Sequence, residues 1–210
     1  MLFDFDTISM QDRYKLLVST VLPRPIAWVV TQDLQGRRNA APFSFFNVFG
    51  QDPPIVIIGI GGRGPGEPKD TVRNIRDTGE FVINLVSHDN LQQMNVTAIE
   101  FPHGVDEIAE AGLTTVASVK IKPPRIAESP VAMECRRTML IDLNVDRTLV
   151  LGEVLAMHVR DDCISDRERL HVDSPKLDLV GRMHGGGWYA RTTEREEVPR
   201  IKVQDWQRRT

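Results

Sequence analysis

Lys69, Asp70 and Thr71 follow directly on the loop Gly61-Gly-Arg-Gly-Pro-Gly-Glu-Pro68, at what the sequence predicts to be the start of a helix. The first turn of a helix leaves backbone N–H groups without partners and carries the positive end of the macrodipole, and both favour a phosphate. Thr71 adds a hydroxyl donor, while Lys69 and Arg63 add charge. An ordinary helix start, with Asp70 as N-cap and Lys69 in solvent, accounts for the same residues. The glycine-rich loop is not a nucleoside-triphosphate loop, because Gly66 is followed by Glu67 and Pro68 rather than by the Lys-Ser/Thr step.

A second segment, Asn39-Ala-Ala-Pro-Phe-Ser-Phe-Phe-Asn47, breaks a strand ladder with small residues and Pro42, and sets Ser44 and Asn47 beside unpaired amides. A flavin ring asks for such a place: apolar surfaces for its faces and donors for its nitrogens and carbonyls. A buried aromatic strand carrying Phe43, Phe45 and Phe46 reads equally well. In Met183-His-Gly-Gly-Gly187 the glycines allow close backbone approach, so His184 can line an acceptor pocket or simply sit on a turn.

Other chemistries lack their residues. No GxGxxG opens a helix after a strand, and no GxSxG elbow exposes a serine. His88, His103, His158, His171 and His184 never fall at metal-binding spacings, and Cys135 and Cys163 form no CxxC pair. No catalytic side chain and no metal ligand is assigned. A net charge of −3 counts against nucleic-acid binding. The longest apolar runs, such as 55–60, are strand-length, which counts against a membrane span. The first residues, Met1-Leu-Phe-Asp-Phe-Asp6, lack the charge and apolar core of an export signal, so a cytoplasmic location is expected.

The elements that must position these groups are mostly strands. A helix is expected from Ser9, capped by its hydroxyl, and stopping before Pro23-Arg-Pro25. Strands are expected at 26–31, at 39–47 as one returning edge strand after a turn at 32–37, at 55–60 and at 81–85. The helix 69–78 ends at Gly79. A polar helical stretch at 88–113 reads as an insertion. Val131, Met133, Cys135, Arg137, Met139, Ile141 and Leu143 share one face of a long strand, with Glu134 and Arg136 on the other, able to pair with each other. That strand forms a hairpin with 149–159 through a turn at 144–147, and shorter strands lie near 169–172 and 187–191. The fold class is mainly β, a β-barrel with flanking helices, in one domain over 1–192 with a charged tail at 193–210.

Taken in order, several blocks resemble the flavin reductase-like family of FMN-binding split-barrel proteins. They are Pro23-Arg-Pro-Ile-Ala-Trp-Val-Val-Thr31, the segment 39–47, Pro53-Pro54, Lys69-Asp-Thr-x-x-Asn-Ile75, Gly79-Glu-Phe-Val-Ile-Asn84, Glu128-Ser-Pro130, Glu134-Cys135, Gly152-Glu-Val154 and Arg182-x-x-Gly-Gly-x-x-Tyr189. The resemblance covers roughly residues 8–192. It implies a six-stranded Greek-key split barrel, a homodimer, and FMN in a groove near the subunit interface. It places Ser44, Phe45, Phe46 and Asn47 beside the isoalloxazine ring, and Arg63, Lys69, Asp70 and Thr71 at the phosphate. Thr31 and Trp28 fall on the flavin-facing side, with Trp28 and His184 toward the substrate. Many relatives carry a serine before the loop arginine where this chain has Gly61-Gly62, so backbone amides of the loop are expected to replace that donor and the flavin to exchange more freely.

The implied activity is a flavin reductase using NADH or NADPH, handing electrons to flavin, an oxygenase or another acceptor. Two alternatives stand beside it: an FMN-binding electron carrier without nicotinamide activity, and a split barrel that holds another planar ligand such as haem through His158 or His184.

Overall fold

Ser9 caps the first helix in the way its position suggests. Its hydroxyl accepts from the Asp12 amide at 3.1 Å and donates to the Asp12 carboxylate at 2.7 Å, and α1 runs Met10–Thr20. A computed structural model of the chain describes residues 1–207. The hairpin β1 (Ala27–Gln32) and β2 (Arg38–Phe43) turns at Asp33, whose carboxylate accepts from the Gln35 and Arg37 amides. Pro42 lies opposite Trp28 on an edge strand, where a missing N–H is tolerated.

The chain continues through β3 (Phe46–Gln51), β4 (Pro54–Gly61), α2 (Asp70–Thr78) and β5 (Glu80–Asn84). Gly79 ends α2 at φ 73°, a conformation that favours glycine. The stretch 88–113 contains a 3-10 turn at His88–Asn90 followed by α3 (Leu91–Val96) and α4 (Glu107–Glu110). A short ladder of β6 (Thr115–Val116) with β7 (Arg125–Ile126) precedes the long hairpin of β8 (Val131–Asn144) and β9 (Arg147–Val159). Then come β10 (Ile164–Asp166), β11 (His171–Val172), α5 (Ser174–Leu177), and the β12 (Val180–Arg182) to β13 (Tyr189–Arg191) pair. In the expected tail, α6 (Val203–Gln207) is a short helix, and 208–210 lie outside the described residues. Among the described residues no helix is long and apolar enough to cross a membrane.

Seven strands form one antiparallel sheet in the order β2-β1-β5-β8-β9-β4-β3. The expected count of six is exceeded because 39–47 is not one strand. It breaks at Ser44 and Phe45 into β2 and β3, which occupy opposite edges of the sheet. Laid flat, those edges would stand about 29 Å apart at the usual ~4.8 Å strand spacing. Three Cα steps from Phe43 to Phe46 reach only about 11 Å. The sheet must therefore roll until its edges meet, without a ladder of hydrogen bonds between them. The Gly59 amide donates to the Phe45 carbonyl at 2.7 Å, which carries the β3–β4 ladder one residue beyond Phe46 into the link itself.

Alternation along β1 divides the core. Trp28 and Val30 pack with Val82, Met94 and Ile108, while Ala27 and Val29 pack with Ile58, Ile75, Phe81 and Val150. The apolar face of β8 is buried only as far as Cys135; Met139, Ile141 and Leu143 are 52, 39 and 55% exposed. Glu134 does not pair with Arg136. Its carboxylate is fully buried and accepts from the Val119 amide (2.9 Å), the Lys120 amide (2.7 Å) and His158 Nε2 (2.6 Å), pinning an external loop to the sheet.

Candidate functional site

A groove opens where the sheet's edges meet. Two adjoining hollows of about 280 and 220 Å³ share Tyr14, Pro42, Phe43 and Ser44. The second extends to Phe45, Gly59, Lys69 and Arg147. A third, sharing Pro42 and Lys69, is lined by Asn39, Arg63, Asp70, Thr71 and Glu107. The helix start and the aromatic segment, 25 residues apart from Ser44 to Lys69, thus line one continuous groove.

At the α2 end, the Asp70 and Thr71 amides have no intrahelical acceptor, because the carbonyls four residues back lie outside the helix. Lys69, not Asp70, stands at the N-cap, without a side-chain capping bond; Asp70 is the first helical residue, is buried, and meets basic side chains instead. It accepts from Arg63 (3.2 Å), Arg73 (3.2 Å) and His103 (2.8 Å), so it fixes Arg63 at the groove and would not itself touch an anion. Arg63 also donates to the Phe101 carbonyl at 2.9 Å. Lys69 sits 3.7 Å from the exposed Glu100 carboxylate, a pair weak enough to exchange for a ligand. Thr71 Oγ1 accepts from Asn39 Nδ2 at 3.1 Å, which leaves its proton to donate. Glu107 is buried across the hollow, accepts from the Ala40 amide at 3.0 Å, and has its pKa raised by burial, with Asp70 and Asp106 adding to the rise.

Most amides of the glycine-rich loop are taken within the chain, that of Gly64 aside. Gly62 donates to the Asp146 carbonyl, Arg63 to the Glu67 carbonyl, Glu67 to the Gly64 carbonyl, and Gly66 to the Asp146 carboxylate. Anion donors at this end are therefore the first turn of α2 and the side chains of Lys69, Thr71 and Arg63.

At the other end, Phe45 meets Tyr14 edge to face at 6.4 Å, and the Arg147 guanidinium lies 5.3 Å from its ring centre. Ser44 Oγ accepts from Arg24 Nε at 3.3 Å. Five predicted residues do not reach the groove. Thr31 is fully buried and accepts from Asn74 Nδ2 at 2.9 Å, because β1 turns this face toward α2. Trp28 is fully buried and donates to Thr97 Oγ1 at 2.9 Å, so it supports the groove from below instead of meeting a substrate. Phe46 belongs to the core cluster, and Asn47 is exposed with its side chain folded onto the Val48 amide. His184 is exposed on the turn between β12 and β13, 5.7 Å from the Trp188 ring and apart from the hollows. Tyr14, Asn95, Arg147, Arg182 and Tyr189 line the groove without having been singled out as site residues. For Arg182 and Tyr189 a signal existed, since they bracket the closing glycine block; for Tyr14 and Asn95 none did.

A rolled antiparallel sheet with such a groove at its seam defines a split-barrel architecture. The chain matches the flavin reductase like domain over residues 18–176 and belongs to that family. It is 41% identical to an uncharacterized protein of Deinococcus radiodurans, over 98% of this chain and 92% of that one. Among solved structures it resembles the 2-nitrobenzoate 2-nitroreductase NbaA of Pseudomonas fluorescens, with a TM-score of 0.88 and 33% identity, covering 97% of this chain and 98% of that one. It also resembles component B of a nitrilotriacetate monooxygenase from Bacillus cereus, with a TM-score of 0.88 and 30% identity, covering 94 and 98%.

Proposed function

We propose that this protein holds FMN in the seam groove and, as an oxidoreductase, takes electrons from NADH or NADPH and passes them to a small acceptor or to flavin used elsewhere. The observation that carries the reading is Lys69: it lines one hollow with Ser44 and the next with Thr71, so a single ligand can have its phosphate at α2 and its ring along 42–45. The donor set fits such a group, with cations, a hydroxyl and helix-start amides at one end and Pro42, Phe43 and Phe45 at the other. When bound, FMN supplies a ring that accepts hydride from reduced nicotinamide and releases electrons to a second substrate.

The chain's own task is placement. Lys69, Thr71 and Arg63 hold the phosphate, with Arg63 kept in position by Asp70. Pro42, Phe43 and Ser44 form the wall against which the ring rests, and Tyr14 with Phe45 excludes water from its edge. No side-chain acid or base is needed for hydride transfer. The nitroreductase and monooxygenase-component names of two similar structures support redox work on either a small molecule or a partner oxygenase. The reading also includes a cytoplasmic homodimer of Greek-key split barrels. For the dimer the support is the exposed apolar row Met139, Ile141 and Leu143, which a second copy would cover.

The test is anaerobic titration of the FMN-loaded protein. Bleaching of the flavin band by NADH or NADPH is the expected result. Tight FMN with no bleaching by either would leave a carrier and remove the reductase.

A further inference from the structure

Arg24 and Arg182 oppose one another across an antiparallel bridge: the Arg24 amide donates to the Arg182 carbonyl at 2.9 Å, and the Arg182 amide returns the bond at 2.8 Å. The approach is close because Gly181 lies against Pro23, where even a Cβ would come within 2.7 Å of the proline. Both side chains line the same hollow. Like charges placed directly opposite destabilise a sheet unless something intervenes between them.

Among the described residues nothing neutralises the pair. Arg24 is 6% exposed, yet its guanidinium meets only neutral acceptors: Ser44 Oγ, the Val18 and Val21 carbonyls, and the Met183 carbonyl at 2.8 Å. Arg182 donates to the Tyr189 hydroxyl and lies 4.7 Å from that ring's centre. Among the described residues no carboxylate stands within ion-pair distance of either. Burial lowers the Arg24 pKa, which Tyr14 opposes and Arg182 reinforces. Buried cations are ordinarily paired. Here the counter-charge is missing, and the space beside it is open.

We propose that this hollow binds the carboxylate of a flat second substrate, with Arg182 gripping it and Arg24 supplying the field. Most of Arg24's N–H groups are already engaged, whereas only one of Arg182's is, so Arg182 has the free planar fork that matches a carboxylate. Ile26 and Met94 add apolar lining suited to a ring, beyond the Pro42–Ser44 wall assigned to the flavin. The phosphate end of the groove, at Lys69 and Thr71, lines a different hollow, so the FMN phosphate is already matched there. The oxidised flavin ring carries no charge to answer two guanidiniums. This inference rests on the FMN reading for what lies next door, and not for the anion site itself.

The probes are benzoate and benzamide, of equal shape and different charge, titrated into the purified FMN-loaded protein and followed by calorimetry and by the flavin spectrum. Benzoate is expected to bind about 10- to 100-fold tighter than benzamide, as a charge-assisted fork implies. Arg182→Gln should abolish that preference and Arg182→Lys should retain part of it, with circular dichroism and FMN retention showing that both variants are folded. Equal binding of the two probes would overturn the proposal. So would loss of FMN itself in Arg182→Gln, or a change confined to NADH affinity or to the flavin's reduction potential; these would assign the charge to the cofactor or to the donor's diphosphate. If the protein holds no FMN but still prefers benzoate, the FMN reading fails alone and the anion site stands.

Discussion

Replacing Glu134 with leucine removes the acceptor on which two backbone amides and one imidazole converge. Each donor left without a partner is worth about 1–3 kcal/mol. The Val119 and Lys120 residues are exposed and can recover water, so the net loss is placed at about 2–4 kcal/mol. For a chain of this length that lowers the melting temperature by roughly 4–16 °C. Burial alone would raise the Glu134 pKa, but the Val119 amide, His158 and the Lys120 amide outweigh it and hold the carboxyl below its usual range. A carboxyl depressed in the folded state stabilises above its unfolded pKa of about 4.3, and that contribution fades as pH falls through the folded value. Thermal melts of wild type and Glu134→Leu should therefore differ most near neutrality and converge in acid. Glu134→Leu combined with His158→Leu should recover part of the loss, since the imidazole is no longer stranded. A melting point within about 2 °C of wild type at neutral pH, or a gap that does not narrow in acid, would refute this account of the buried carboxylate.

Lys69→Ala should weaken FMN about 10- to 100-fold with little change in melting of the ligand-free protein, measured by quenching of flavin fluorescence; unchanged affinity would remove Lys69 from the phosphate site. Trp28→Phe should lose about 1 kcal/mol of stability with the indole-to-Thr97 bond, while FMN affinity stays within about twofold, and a larger affinity loss would return Trp28 to the ligand. A Cβ on Gly152 would fall 2.4 Å from Phe81 Cζ, so Gly152→Ala should cost about 1–3 kcal/mol in denaturant melts and be partly rescued by Phe81→Leu. Cys135 and Cys163 are fully buried and burial raises both thiol pKa values, so a thiol reagent should label neither until the protein unfolds.

What local chemistry determines was legible in the sequence. The Ser9 cap, the Gly79 stop, the edge position of Pro42 and the long hairpin through 144–147 each follow from bonds within a few residues, and each is present. The two segments that line the groove were legible as residue types, and the structure brings them into adjoining hollows. Several of the departures arise where chain segments distant in sequence meet. Thr31 and Trp28 lie on β1, but which face α2 and α3 cover is set by packing, and both side chains end up beneath an element. Glu134 was matched to its neighbour on the strand, whereas its real partners come from the loop near 120 and from β9. The opposition of Arg24 and Arg182, 158 residues apart, has no local signature.

The two-residue link at Ser44 and Phe45 makes the groove a late product of assembly. Its flanking strands occupy the two ends of a seven-strand row, so the link can adopt its final path only once the intervening strands are in register. Such distant pairings are slow to form and the first to loosen. A ligand lodged between Lys69 and Ser44 would act as a clasp, fastening the rim of the rolled sheet as well as meeting its partners there. Amide exchange at 43–46 and at Gly59 would then slow on loading, while the hairpin of β8 and β9, already locked in the sheet's interior, would exchange at an unaltered pace.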